Sequence, residues 1–100
     1  MSKRLLLTLI APVGLEEPLV DWLLEHASGR GFCSGPVNGH SASHESLTVA
    51  EQVSGRQRQI RFEIHAPEEE VCLMVQRLKR DFAGSNMHYW STSLVESGNI

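Results

Sequence analysis

Two periods organise the apolar positions of this chain. Arg4 to Ile10 (Arg-Leu-Leu-Leu-Thr-Leu-Ile) is a short, nearly continuous apolar run that stops at Ala11-Pro12. That pattern predicts a central strand covered on both faces, which requires helices or a partner chain. Gln57 to His65 alternates instead, with Ile60, Phe62 and Ile64 on one side and Gln59, Arg61, Glu63 and His65 on the other, and it predicts a strand with one buried face. From Leu15 the period lengthens: Leu15, Leu19, Trp22, Leu23 and His26 recur at helical spacing. Glu16, Glu17 and Asp21 lie towards the positive end of that helix, Pro18 is tolerated in its first turn, and Ser28-Gly29 ends it. A second helix opens at Pro67 and carries a buried stripe of Val71, Met74, Val75, Leu78 and Phe82. Glu68, Glu69 and Glu70 fill its first turn and Arg77, Lys79 and Arg80 its last, so charge complements the helix dipole at both ends, and Gly84 serves as C-cap.

Two weaker strands complete the pattern. Phe32 to Val37 is interrupted by Gly35 and Pro36, which suits a sheet edge, and Met87 to Val95 reads as the last strand. Residues 38–55 are rich in Ser, His and Gly, lack a clean period, and predict a long connection of the kind that often carries function. The resulting order is the ferredoxin-like β-α-β-β-α-β arrangement, an α+β fold with a four-stranded antiparallel sheet and two helices on one face. One hundred residues suffice for one such domain, residues 1–100. Helices on one face leave the other open, with apolar residues of Arg4–Ile10 beside polar ones of Gln57–His65, and self-association is the economical way to cover it.

Composition narrows the function classes. The chain is 41% hydrophobic and 21% charged, as expected of a folded protein, and its net charge of -3 argues against nucleic acid as a partner. Cys33 and Cys72 lack a CxxC or CxxH neighbour and read as reduced, structural thiols. The basic start, Lys3-Arg4 followed by apolar residues, is too short for a membrane span and lacks a small-x-small cleavage site, so a cytoplasmic protein without membrane insertion is expected.

Two constellations carry candidate chemistry. His40, His44 and Glu45, with Glu51 nearby, offer imidazole and carboxylate ligands for a divalent metal such as zinc, copper or nickel. The plainer reading is a solvated segment, because His-x3-His converges only on a helical turn and Ser and Gly around it oppose one. Arg56 and Arg58 fall on one side of a strand that begins there, with Arg61 on the other, and the first two could clamp a phosphate or carboxylate. Alternatively Arg58 and Arg61 pair with Glu51, Glu63 or a neighbouring subunit. His65, His88, Trp22, Tyr89 and Trp90 lie in strands or helices, where packing or interface roles are expected. Gly-x-Ser-x-Gly, Walker and paired-cysteine patterns are missing, which argues against an enzyme. RNA-binding modules of this topology expose aromatic residues on the third strand, where this chain has Gln59, Arg61 and Glu63. Acylphosphatase-like hydrolysis needs an arginine after the first strand, where Ala11-Pro12-Val13-Gly14 stands.

The order of elements, the segment Gly39-His40-Ser41-Ala42-Ser43-His44-Glu45 and the stretch Leu47 to Arg58 together resemble an uncharacterised bacterial family of PII-like proteins. That resemblance spans nearly the whole chain. It implies a homotrimer with ligand clefts between subunits, signalling to a protein target through the loop at residues 38–55. Related PII-like proteins connected with metal tolerance imply the same metal reading of the histidines. The nucleotide-binding members carry a Gly-rich, Lys-containing phosphate loop after the second helix, a modified loop tyrosine or a C-terminal arginine pair. Here Ala83-Gly84-Ser85-Asn86 leads straight into Met87, and the usual mode of ATP binding is not expected. A non-enzymatic, ligand-sensing regulatory protein follows. The rival is a small enzyme with an inter-subunit active site using His44 or His65 as acid or base.

Overall fold

The structure, a computed structural model, describes residues 3–40 and 56–100. Strand β1 (Arg4–Pro12) runs through a 3-10 turn at Val13–Leu15 into helix α1 (Glu16–His26). Strand β2 (Cys33–His40) follows, then β3 (Arg56–Pro67), helix α2 (Glu68–Asp81) and β4 (His88–Ser93). The four strands form one antiparallel sheet in the order β2-β3-β1-β4. This is the ferredoxin-like α+β arrangement expected from the periods.

Pairing follows the alternation closely. Leu7 lies opposite Ile64, Leu9 opposite Phe62 and Ala11 opposite Ile60. These side chains form one layer of the core, which Leu19, Trp22 and Leu23 of α1 and Val71, Met74 and Leu78 of α2 close from the helix side. Phe62, Leu7, Leu19 and Leu23 are fully enclosed, and Phe32 packs on Phe62 with ring centroids 6.4 Å apart. The Trp22 indole N–H donates to Asp81 at 2.8 Å, its ring stacks on His26 at 4.4 Å, and Phe82 meets it edge-on, so one aromatic cluster ties α1 to the end of α2. Arg30, in the turn after α1, donates to Glu70 at 2.8 Å and fastens that turn to the start of α2.

Several boundaries differ from the sequence pattern. Strand β2 continues through Asn38 and Gly39 to His40, because its hydrogen bonds are made with the well-patterned β3 and need no periodicity of their own. Pro67 caps α2 from outside, one residue before its first turn. Strand β4 is shorter than expected, ending at Ser93, and every residue in it is exposed. Tyr89 and Trp90, expected in packing or interface roles, are half exposed in the single chain, because β4 is an edge strand with no helix among the described residues above it. Cys33 and Cys72 are free thiols, as expected, but both are exposed and fill no core position. The residues between His40 and Arg56, which include His44 and Glu45, lie outside the described residues. No helix among the described residues is long and apolar enough to cross a membrane.

Candidate functional site

The two described helices lie on one side, so among the described residues the opposite face of the sheet is open, and the pairing register states which residues share it. Arg61, Ile10 and His88 form one row across β3, β1 and β4; Glu63, Thr8 and Trp90 form the next; His65, Leu6 and Thr92 form a third. Cys33, Gly35, Val37 and Gly39 continue the face onto β2. Central strand β1 thus has Leu6 and Ile10 only half buried on this side, while Leu7 and Leu9 on the other are enclosed. The face carries Leu6 and Ile10 on β1 and Trp90 between His88 and Thr92 on β4, and is charged along β3, where Arg61 and Glu63 are paired at 3.3 Å.

At the end of this face next to the 41–55 connection the surface sinks into a cleft of about 350 Å³. Its floor and walls are Ile10, Val37, Asn38, Gly39, Gln59, Arg61, His88 and Trp90. Local chemistry explains the hollow. Gly39 sits opposite Gln57 in the strand pair, and a Cβ there would collide with the Gln59 amide, so the missing side chain lets that amide lie across the β2 backbone. Trp90 rises from the edge strand as one wall. The cleft thereby combines an aromatic face, a guanidinium, an imidazole and a carboxamide, the groups that recognise a planar or anionic small molecule.

Of the sequence-predicted residues, neither His40 nor Arg58 lines this cleft. His40 is the last residue of β2 and pairs with Arg56 across the base of the hairpin. Positions 56 and 58 share one phase of the strand alternation and Arg61 takes the other, as expected, so Arg61 lines the open-face cleft while Arg56 and Arg58 stand in the opposite phase. The Arg61–Glu63 pair is one of the ion pairs considered from sequence, and an exposed pair of this kind leaves the guanidinium able to exchange partners. Among the described residues no group of three His, Cys, Asp or Glu side chains gathers to hold a metal. Of the metal candidates His40 is exposed at the hairpin base, and His44 and Glu45 fall outside the described residues. His65 is at the far end of the face, where its Nδ1 accepts a hydrogen bond from Arg4 at 3.1 Å.

Gln59, His88 and Trp90 were not singled out as site residues. The phase of Gln59 was visible in the alternation of β3, but its convergence with His88 and Trp90 depends on the β1–β4 register, which leaves no mark in a single sequence.

The family model described as "Protein of unknown function (DUF3240)" matches residues 1–100. Among proteins with curated descriptions, none matches the chain. Among solved structures the chain is similar to a DUF3240 family protein from Shewanella baltica OS155, with 25% identity, a TM-score of 0.79, and 100% of this chain and 99% of that one covered. It is also similar to CPII, a nitrogen regulatory PII-like protein from Thiomonas intermedia K12 bound to ADP, AMP and bicarbonate (19% identity, TM-score 0.71, 98% and 97% covered). A third is CutA from Synechococcus elongatus PCC7942 (13% identity, TM-score 0.65, 93% and 77% covered). These likenesses establish the PII-like form of the ferredoxin-like fold.

Proposed function

We propose that this chain, which belongs to the DUF3240 family, is a non-enzymatic PII-like sensor that binds a small anionic ligand beside the base of its β2–β3 hairpin. The observation that carries the reading is the position of the open-face cleft. It adjoins the two strand ends, His40 and Arg56, from which the long connection departs, so a ligand held there touches the root of that segment. A ligand with different affinity for two arrangements of the segment would shift their populations, which is all that signalling requires. The PII-like neighbour bound to ADP, AMP and bicarbonate gives the ligand classes to try first: a nucleotide or a small oxyanion. Arg61, Gln59 and Trp90 supply a cation, an amide and a stacking face for them, and Arg56 and Arg58, in the opposite strand phase, form a separate candidate anion site at the hairpin base.

In this reading the protein works in the cytoplasm as a homotrimer, its copies meeting through the open sheet faces, and residues 38–55 contact a protein target. A divalent metal such as zinc, copper or nickel, held by His40, His44 and Glu45, is a second input to the same segment.

Native mass spectrometry of the purified protein, alone and with ADP, AMP, bicarbonate and zinc, tests assembly and ligand together. The expected result is a trimer that takes up an anionic ligand, with uptake lost in Arg61→Ala and, for zinc, in a His40→Ala/His44→Ala double variant. A monomer that binds none of these would sink the proposal. Binding unaffected by Arg61→Ala would move the ligand away from the cleft.

A further inference from the structure

A second cavity lies on the other side of the sheet, and nothing in the reading above uses it. It has a volume of about 300 Å³ and opens where the C-terminal turn of α2 passes over the start of β4. Helix α2 packs principally on β3 and β1, so the helix-side surface of β4 has no roof of its own. The gap left between them is walled by Leu9, Leu78, Phe82 and Met87. Protein interiors hold few voids larger than a water molecule, so a hollow of this size reaching the enclosed Leu9 is ligand-sized rather than a packing defect.

Its polar groups are few and gathered at the mouth. Lys79, in the last turn of α2, carries its ammonium 5.2 Å from the Tyr89 ring centroid and is in no ion pair with the other described residues. Ser85 and Asn86 stand on the opposite lip. That lip is a built turn: Phe82 N–H donates to Leu78 at 2.8 Å, Ser85 N–H donates to Phe82 at 3.2 Å, and Gly84 and Asn86 both take left-handed backbone angles, with φ of 76° and 62°. No acidic side chain lines the hollow among the described residues, in a chain whose net charge is -3. An apolar pocket with one cation held at its mouth and two neutral hydrogen-bonding side chains across from it selects an amphipathic monoanion.

We propose that this cavity binds a small amphipathic carboxylate, with one ring or a branched alkyl body against Leu78, Phe82 and Met87 and its carboxylate on Lys79. Its lining residues lie on the helix side of the sheet, away from the open-face cleft, so its test is separate from that of the sensor reading.

The test uses the intact protein with 3-phenylpropionate as probe and 3-phenylpropanol as its neutral counterpart, followed by NMR of the methionine methyls. The expected result is a saturable shift of the Met87 methyl with intermolecular contacts to the phenyl protons. Affinity should fall about tenfold in Lys79→Met, which keeps the aliphatic stem and loses the charge. The alcohol should bind wild type and Lys79→Met alike, and weakly. An unmoved Met87 methyl overturns the site, and equal affinity of wild type and Lys79→Met for the carboxylate overturns its assignment to an anion.

Discussion

Tyr89 and Trp90 are chain neighbours in β4 that lie on opposite faces of the sheet, and both are half exposed, at 45% and 51%. They form a matched pair for asking which face other copies cover. A tryptophan buries roughly 150–250 Å² when enclosed, so the open half of Trp90 amounts to roughly 100 Å². At about 25 cal/mol per Å², covering it contributes about 2.5 kcal/mol per subunit. In the proposed trimer three subunits together contribute about 7.5 kcal/mol. The half-dissociation concentration of a trimer varies as the square root of its dissociation constant, so Trp90→Ser is expected to raise that concentration by about 2–3 decades. Tyr89→Ser removes a similar exposed surface from the helix side and should move it by no more than about threefold. Sedimentation equilibrium over a broad concentration range reads both, with circular dichroism confirming that each variant remains folded. Equal shifts, or a larger one for Tyr89→Ser, would refute assembly through the open face.

Two further outcomes follow from single residues. Hydrogen bonds from Arg80 and Trp22 hold the Asp81 carboxyl down at about 2, below its ordinary 3.8. The unfolded chain therefore binds more protons between those values, so this contribution is complete above pH 3.8 and is lost as pH falls through about 2. Denaturant unfolding across that window should show the loss in wild type and not in Asp81→Asn. Gly84→Ala places a Cβ in open space but at φ 76°, so its cost is conformational, about 1 kcal/mol, and the melting temperature should fall by about 4–8 °C. An unchanged melting temperature would mean that the turn relaxes out of the left-handed region.

The periods that named the elements are those the core enforces. Ile60, Phe62 and Ile64 alternate because one face of β3 lies under two helices, and the stripe of α2 repeats because Val71, Met74 and Leu78 face that same layer. Strand β2 carries almost no such signal. Its burial never falls into the enclosed range, and Gly35, Pro36 and Gly39 are poor strand formers, yet it pairs with β3 over eight residues because the long, well-specified neighbour supplies the hydrogen bonds. The end of β2 was accordingly placed three residues short, at Val37. Strand β4 was recognised from Tyr89, Trp90 and Thr92, but β propensity does not distinguish an enclosed strand from an exposed edge, and its aromatics are half exposed in the single chain.

The site is harder to read for a reason that lies in the sheet itself. Arg56, Arg58 and the histidines stood out because they are neighbours in sequence, whereas the cleft is built across four strands by Val37, Gln59, Ile10 and His88, which share nothing in sequence but their phase. A one-residue slip in the β1–β4 pairing would send His88 and Trp90 to the helix side and bring Tyr89 to the cleft. Register is fixed where Leu7 and Leu9 must meet Ile64 and Phe62, and weakly marked along β4, whose six residues are all exposed. The chemistry of the open face therefore depends on the strand whose own sequence constrains its position least. That dependence makes the contrast between Trp90→Ser and Tyr89→Ser a test of the register as well as of the assembly.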